Sequence, residues 1–403
     1  MHLKRLSLTN FRNFVRLEAE LPPGPTLLIG ANAQGKTSLL EAIYYLSGSS
    51  SPHSTSDRQL INFLSLEEPN SFARLVAEVQ REQRLHRLEV RLMMNDEGNG
   101  RLQKQVLING VKRRVSDLAE AFNAVMFLPQ DLQIIEGSPG GRRRFLDQLI
   151  SQADPLYSRT LTEYGKVLSQ RNALLKQLQE RGTAADQLDI WDEQLVEHGA
   201  ALIRSRALAL NEIQAIAQPI HEKLTRGRER YRLIYDPGFN PLDNTPKQAA
   251  LDLDDPLDLS SVSEGQIEQR MLAALKEQRR DEIQRGVTRL GPHRDDLIFQ
   301  ATGLNLHLYG SRGQNRTAML STKIAEVKWL HQRTGHWPML LLDEVLAELD
   351  ANRRQDLLEY VLQVNQSILT AADIDMFTDT FCEQATLWEV RGGTLLSHPE
   401  GST

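Results

Sequence analysis

The sequence predicts an α/β fold in which one domain is assembled from both ends of the chain and interrupted by a helical arm. Three observations predict it. The apolar run Thr26–Ile29 ends in glycine and leads into Leu39, Leu40, Ile43, Tyr44 and Leu46 at helical spacing, the strand–turn–helix order of an α/β unit. Near the other end, Met339–Leu342 is a run of four apolar residues, as expected of a parallel strand buried on both faces. Between them, from Asp154 to Leu224, helix breakers are few. There Leu161, Leu168, Leu175 and Leu178, then Leu188, Leu195, Leu202 and Ile203, mark two long amphipathic helices.

The remaining elements follow in order. Leu3–Leu8 and Leu17–Leu21 alternate as strands, and further strands are expected at Ala73–Val79, Leu85–Leu92 and Val106–Ile108. The two arm helices turn at Arg181-Gly182-Thr183, and a third helix runs from Gln266 to about Arg285. Strands return at Asp296–Phe299, Asn305–Tyr309, Pro338–Leu342, Ser367–Thr370 and Thr386–Val390. The expected organisation is a first half-domain at 1–130, an arm at 131–290, and a second half-domain at 291–403. There is no internal repeat.

Composition excludes several classes. Hydrophobic residues make up 40% and charged residues 25% of 403 residues, ordinary for a globular protein of two or three domains. No apolar run approaches the ~20 residues of a membrane span. The opening Met1-His2-Leu3-Lys4-Arg5 lacks the apolar core of a signal peptide, so a cytoplasmic chain without a membrane partner is expected. Cys382 is alone, which rules out an intrachain disulfide or a thiolate metal cluster. The net charge of −6 argues against nucleic acid only until it is located. Seven acidic residues against Lys247 between Asp236 and Glu264 supply the whole surplus, in a proline-bearing stretch expected to be a surface loop (about 236–264). Local basic patches must therefore decide.

Gly30-Ala31-Asn32-Ala33-Gln34-Gly35-Lys36-Thr37, followed by Ser38, fits G-x-x-x-x-G-K-[ST]. Its glycines let backbone N–H groups close around phosphates, Lys36 neutralises the β and γ groups, and Thr37 can ligate Mg²⁺. ATP and Mg²⁺ are the cofactors this chemistry implies. Asp343 and Glu344 end the Met339 strand, where α/β ligands bind. Asp343 is the expected holder of Mg²⁺ through water, and Glu344 the group that polarises the attacking water.

Ser311-Arg312-Gly313-Gln314-Asn315-Arg316 precedes a helix expected from Thr317 to about Thr334, and lies roughly thirty residues before Asp343. Ser311, Gly313 and Gln314 thus sit as the S-x-G-Q signature does in ABC-type ATPases. Leu346-Ala347-Glu348-Leu349-Asp350 falls where that class has its D-loop. Gln130, in Phe127-Leu128-Pro129-Gln130-Asp131, falls where it has its Q-loop, and joins Glu344 and Lys36 as a catalytic candidate and Thr37 and Asp343 as a metal candidate. In the class the signature of one subunit completes the nucleotide site of another. An ABC-type P-loop ATPase head interrupted by a helical arm, dimerising on ATP, is the resulting expectation.

Four segments carry a closer resemblance. Leu8-Thr9-Asn10-Phe11-Arg12-Asn13-Phe14, Gly137-Ser138-Pro139-Gly140-Gly141-Arg142-Arg143-Arg144-Phe145-Leu146-Asp147, Gly291-Pro292-His293-Arg294-Asp295-Asp296 and the Leu346–Asp350 segment are similar to the RecF family of recombination-repair ATPases. The resemblance implies an ATP-dependent homodimer with weak ATP hydrolysis, and binding of double-stranded DNA and of single-stranded or gapped DNA. It also implies recombinational repair and replication restart, with RecR- and RecO-like mediators as partners. Arg12 and Asn13 then become nucleotide-contact candidates beside Ser311, Gly313, Gln314 and Asp350. Two departures stand out. Ala371 and Ala372 occupy the place where related ATPases carry a histidine or hydroxyl residues, and Ser50–Ser54 lacks the basic residues usual there. A transporter nucleotide-binding subunit and an OLD-like nuclease regulator are the rivals. The first lacks such an opening and arm, and the second needs a metal domain for which only thirty residues remain after Asp373.

Arg142, Arg143 and Arg144 are expected near a helix N-terminus, behind Ser138 as cap and Pro139 in the first position. Cations there oppose the helix dipole, which suggests a compensating anion: DNA phosphate, nucleotide phosphate, or a carboxylate across an interface. The plainer reading is a solvated face paired with Asp147 and Glu136. Lys112, Arg113 and Arg114, after Ile108-Asn109-Gly110, complete the DNA candidates.

Overall fold

The computed structural model describes residues 1–48, 50–54, 56–67, 70–95, 101–181, 185–241, 259 and 261–397. Most of the acidic stretch, together with Gly182 and Thr183 of the expected arm turn, lies outside the described residues. The chain forms two compact units, Met1–Asp131 with Glu326–Thr403 and Leu132–Ala325.

The first unit opens with β1 (His2–Phe11), β2 (Phe14–Glu20), β3 (Gly24–Ile29) and α1 (Lys36–Gly48). It continues with β4 (Phe72–Arg81), β5 (Arg84–Asn95), β6 (Arg101–Ile108), β7 (Val111–Arg113), α2 (Leu118–Ala121) and β8 (Ala124–Phe127). Six of these strands form an antiparallel sheet in the order β2-β1-β4-β5-β6-β7. Its register places Leu17, Leu8, Leu75, Val90 and Val106 in one cross-strand row, all buried, so one face is apolar across five strands. A one-residue slip of any strand would turn its share of the row to solvent.

The second unit contains α3 (Leu132–Glu136), α4 (Pro139–Ala153), α5 (Pro155–Arg181), α6 (Leu188–Thr225), β9 (Tyr231–Asp236) and α7 (Glu264–Arg285). It continues with β10 (Asp296–Ala301), β11 (Leu304–Asn305), α8 (Leu306–Tyr309) and the start of α9 (Arg312–Thr334). Helices α5 and α6 are antiparallel. Tyr157 meets Arg206, Tyr164 faces Gly199, Arg171 pairs with Asp192, and Leu175 and Leu178 pack on Leu188. Arg171 is fully buried, yet each arm of its guanidinium has a partner at 2.7 Å: Asp192 on α6, Glu282 on α7, and Thr288 beyond α7. Such a charge is tolerated in a core only when it is fully hydrogen-bonded.

The chain then returns to the first unit with β12 (Met339–Asp343), α10 (Ala351–Val361), β13 (Gln366–Ala371), α11 (Asp379–Cys382), β14 (Thr386–Arg391) and β15 (Thr394–Ser397). These strands build a second sheet, β15-β14-β3-β13-β12-β8, parallel except at the β15 edge. Helix α1 is buried nearly all round, because its apolar residues share one core with both sheets. Leu39, Leu40, Ile43 and Leu46 pack in a cluster with Leu6 and Leu75 of the antiparallel sheet and Leu341 and Ile368 of the parallel one.

Three expectations need correction. The strand expected at Asn305–Tyr309 stops at Asn305, because that side chain accepts a hydrogen bond from His307 N at 3.0 Å and starts the helical turn α8. The signature helix begins at Arg312 rather than Thr317, so the motif itself is its first turn. The expected boundary at 290/291 falls instead inside α9, after Ala325. The reason is the antiparallel pairing of β10 with β9, which ties the segment after Gly291 to the second unit.

Candidate nucleotide site

The site begins where β3 ends. Gly30 and Gly35 have φ of +157° and +118°. A Cβ would lie 2.7 Å from Val390 O at Gly30 and 2.5 Å from Asn13 Nδ2 at Gly35. Only glycine lets the loop pass both neighbours. The residues between, Ala31, Asn32 and Ala33, are exposed, and Ala33 is left-handed at φ 64°. Gln34 secures the loop: its O accepts from Asn13 Nδ2 and Gly393 N, both at 3.1 Å, and its Oε1 accepts from Gly392 N at 2.7 Å. Such a nest of backbone N–H groups at a helix N-terminus suits an anion.

Lys36 opens α1, is 4% exposed, and donates to Gly30 O and Ala31 O. Its Nζ also lies 3.2 Å from Glu344 Oε1. Thr37 Oγ1 donates to Asp343 Oδ2 at 2.8 Å. Ser38 follows in the same first turn. The parallel register sets Asp343 beside Thr370, whose Oγ1 donates to Asp343 Oδ1 at 2.8 Å and accepts from Glu344 N at 2.9 Å. Both carboxylate oxygens of Asp343 are therefore oriented. Glu344 sits at φ 53°, a left-handed conformation unusual for a glutamate and typical of residues held for a function. Thr370 was not among the sequence-derived candidates. Its signal was weak, one hydroxyl at the end of a buried strand.

These residues fit a magnesium nucleotide. A threonine hydroxyl and one carboxylate, side by side, are the oxygen donors that Mg²⁺ takes when phosphates and water complete its shell.

The other candidates divide by place. Arg12, at φ 53°, forms a two-pronged bond to buried Glu41, both contacts 2.7 Å, and its Nη2 also donates to Ser54 Oγ at 2.7 Å. Ser51 Oγ donates to the same Glu41, so the serines of the 50–54 stretch serve this cluster. Gln130 is exposed, with its Nε2 3.0 Å from His53 Nδ1. Asp350 caps α10, and the Arg353 N–H, which it accepts at 3.1 Å, holds its carboxyl below the usual range. In the second unit Ser311 and Gly313 are exposed at the start of α9. There Ser311 Oγ accepts from Gln314 N at 3.2 Å, and Gln314 Oε1 accepts from Ser311 N at 3.0 Å. This reciprocal pair is a capping box.

The triple arginine is corrected in part. Arg142 is buried, holds Asp296 with two bonds of 2.7 and 2.8 Å, and donates to Ile135 O and Gly137 O. It is a structural ion pair, and its guanidinium is spent. Neither expected carboxylate is its partner: Asp147 pairs with Arg206 and Glu136 accepts from Asn315. Ser138 stands in the cap position without a side-chain capping bond. Arg143 is half-buried and donates to Asp295 O, and burial lowers its pKa. Arg144 is exposed, as are Lys112, Arg113 and Arg114 on and just after the edge strand β7.

The family profile of the RecF/RecN/SMC N terminal domain matches residues 2–391. The DNA replication and repair protein RecF of Chloroflexus aurantiacus is 39% identical, with 98% of this chain and 100% of that protein covered. The chain belongs to the RecF family. The solved structure of the recombination mediator protein RecF-ATPrS in the RecFOR pathway superposes with a TM-score of 0.84 at 29% identity, covering 99% of this chain and 98% of that one. An Smc head bound to the C-winged helix domain of ScpA matches with a TM-score of 0.51 at 16% identity, over 99% and 98% of the two chains, and shows the fold alone. The RecF fold is thus an ABC-type ATPase head. Among the described residues no helix is long and apolar enough to cross a membrane.

Proposed function

We propose that this RecF-family chain is a cytoplasmic, ATP-dependent DNA-binding homodimer with weak ATP hydrolysis. It acts in recombinational repair and replication restart at gapped DNA, with RecR- and RecO-like mediators. The observation that carries the reading is that an exposed signature turn, capped on itself, belongs to one unit while the P-loop and both carboxylates belong to the other. A second copy can bring its signature to the phosphates of the first. The RecF relative solved with an ATP analogue supports the nucleotide, and the pathway named with it supports the mediators.

The residues divide the work. The Gly30–Gly35 backbone and Lys36 hold the phosphates, and Thr37 with Asp343 would hold Mg²⁺, with Gln130 as a further candidate. When bound there, Mg²⁺ would neutralise phosphate charge. Glu344 takes the proton of the attacking water. Thr370 keeps Asp343 and the Glu344 backbone in place. Thr370→Val should therefore raise the Mg²⁺ concentration for half-maximal ATPase about tenfold, as for other groups that orient metal ligands. Nucleotide binding without Mg²⁺ should stay unchanged. Titrating phosphate release against Mg²⁺ checks this, and an unshifted curve would remove Thr370 from the site.

For DNA, the surviving candidates are Lys112, Arg113, Arg114 and Arg144. Duplex binding should require ATP and fall steeply with salt. Replacing Lys112, Arg113 and Arg114 with glutamine should flatten the log–log salt slope by about 0.9 for each DNA phosphate that is no longer neutralised. Sedimentation with and without duplex, and DNA titrations over salt with and without ATP, test the whole reading. Equal DNA affinity in both nucleotide conditions would count heavily against it.

A further inference from the structure

The signature turn is held from behind by groups that none of the assigned roles uses. Gln314 spends its Oε1 on Ser311 N, and its Nε2 donates to Glu229 Oε1 at 3.1 Å. The other oxygen of Glu229 lies 3.1 Å from Nε2 of His221, a histidine with no exposed surface near the end of α6. His221 Nδ1 is 3.1 Å from Ser321 Oγ. The ring is stacked on Tyr231 at 4.6 Å, and Tyr231 Oη bonds Thr322 Oγ1 at 2.7 Å. The end of the returning arm helix, β9 and α9 thus meet around one imidazole, inside one unit.

The contacts form one continuous chain behind the turn. Ser321 Oγ is in turn 2.7 Å from Thr317 O, to which it donates. A proton between His221 Nε2 and Glu229 Oε2 makes that contact a hydrogen bond, whichever atom carries it. Glu229 Oε1 is left as a fixed acceptor for the Gln314 amide. Gln314 N in turn donates to Ser311 Oγ, which leaves the Ser311 hydroxyl hydrogen free to point outward.

We infer that Glu229 and His221 are positioning residues for the signature: they fix Gln314, and through it the direction in which Ser311 and Gly313 offer their donors. The inference rests on the proposal that this turn meets the terminal phosphate of ATP held by a second copy. Two bonds to Glu229 and a buried ring are more than a helix cap needs, since the capping box already satisfies Ser311 N and Gln314 N.

Glu229→Ala removes the acceptor. Glu229→Gln keeps it, because its Oε1 can still accept from Gln314. With Glu229→Ala the affinity of the monomer for ATP should remain within about twofold, while kcat and ATP-dependent dimerisation fall about tenfold or more, as for small misplacements of binding groups. Glu229→Gln should recover most of both. In the nucleotide-free protein, amide exchange at Gln314 should be faster in Glu229→Ala than in Glu229→Gln. The double variant Glu229→Ala/Gln314→Ala should be no worse than the poorer single one, because both break the same chain of bonds. Parent-like dimerisation in Glu229→Ala, an equally impaired Glu229→Gln, or fully additive losses would each overturn the inference. If Glu229→Ala folds poorly, Gln314→Ala alone carries the test, and parent-like turnover there overturns it as well. Ser311→Arg, run in parallel, separates the layers. If it blocks dimerisation while Glu229→Ala does not, only the positioning role fails; if it is harmless, the signature assignment fails first.

Discussion

Glu344→Gln should bind ATP, leave it intact and accumulate as a dimer. The substitution keeps the side-chain shape and removes the only function proposed for it, acceptance of the proton from the attacking water. Loss of a positioned general base lowers turnover by about 10²–10⁴-fold. Binding should not suffer. Glu344 Oε1 lies 3.2 Å from Lys36 Nζ and competes with an incoming phosphate for that ammonium group. A neutral amide competes less, so affinity for ATP should equal or exceed that of the parent. Phosphate release under single-turnover conditions reports the chemistry, and sedimentation velocity reports the trapped dimer. Turnover within a few-fold of the parent would sink the role given to Glu344.

Ser311→Arg separates a two-subunit site from an ordinary P-loop. Were Ser311 only the cap of α9, the substitution would cost about 1 kcal/mol of stability and leave catalysis alone. In the composite site Ser311 meets the terminal phosphate over the Lys36 of a second copy. An arginine there should leave ATP binding to the monomer intact and abolish both dimerisation and hydrolysis. Mixing Ser311→Arg with Lys36→Met sharpens the result. Lys36→Met by itself should lose tight ATP binding, because Lys36 is the cation of the P-loop. The mixed dimer contains one composite site with neither substitution and one with both, so part of the activity should return on mixing two inactive proteins. Normal dimerisation and hydrolysis by Ser311→Arg alone would overturn the signature assignment.

How much of this was legible in the sequence follows from how far each contact reaches. The P-loop, the Asp343-Glu344 strand end and the capping segment Ser311–Gln314 are local patterns. Backbone sterics and helix N-termini dictate the same geometry wherever such residues occur. The strand–helix order and the arm were legible for the same reason. The arm's antiparallel pairing rests on a leucine period that persists over α5 and α6. Where the reading was off, a short-range competitor had won: Asn305 capped α8, and Ser311 began a helix expected only at Thr317.

The triple arginine marks the other limit. Three adjacent arginines look alike in sequence, yet one is buried on Asp296, one half-buried on Asp295 O and one exposed. Helical rotation of about 100° per residue sends them to different surroundings, and for Arg142 these include Asp296 of β10, 154 residues away. The sequence could weigh an anion against a carboxylate but had no means of choosing for each residue.

The sequence by itself determined the ABC-type class and the RecF resemblance, because each is written in short segments whose conformation their own residues impose. Tertiary structure alone decided which groups stand beside those segments. Thr370 reaches Asp343 through a parallel strand register, Thr37 reaches it across 306 residues, and His221 and Glu229 reach the signature through the packing of α6, β9 and α9. Hydrogen bonds of about 3 Å depend on where whole elements come to rest. That placement is set by the burial of apolar faces, a cooperative property of the core that no single motif carries.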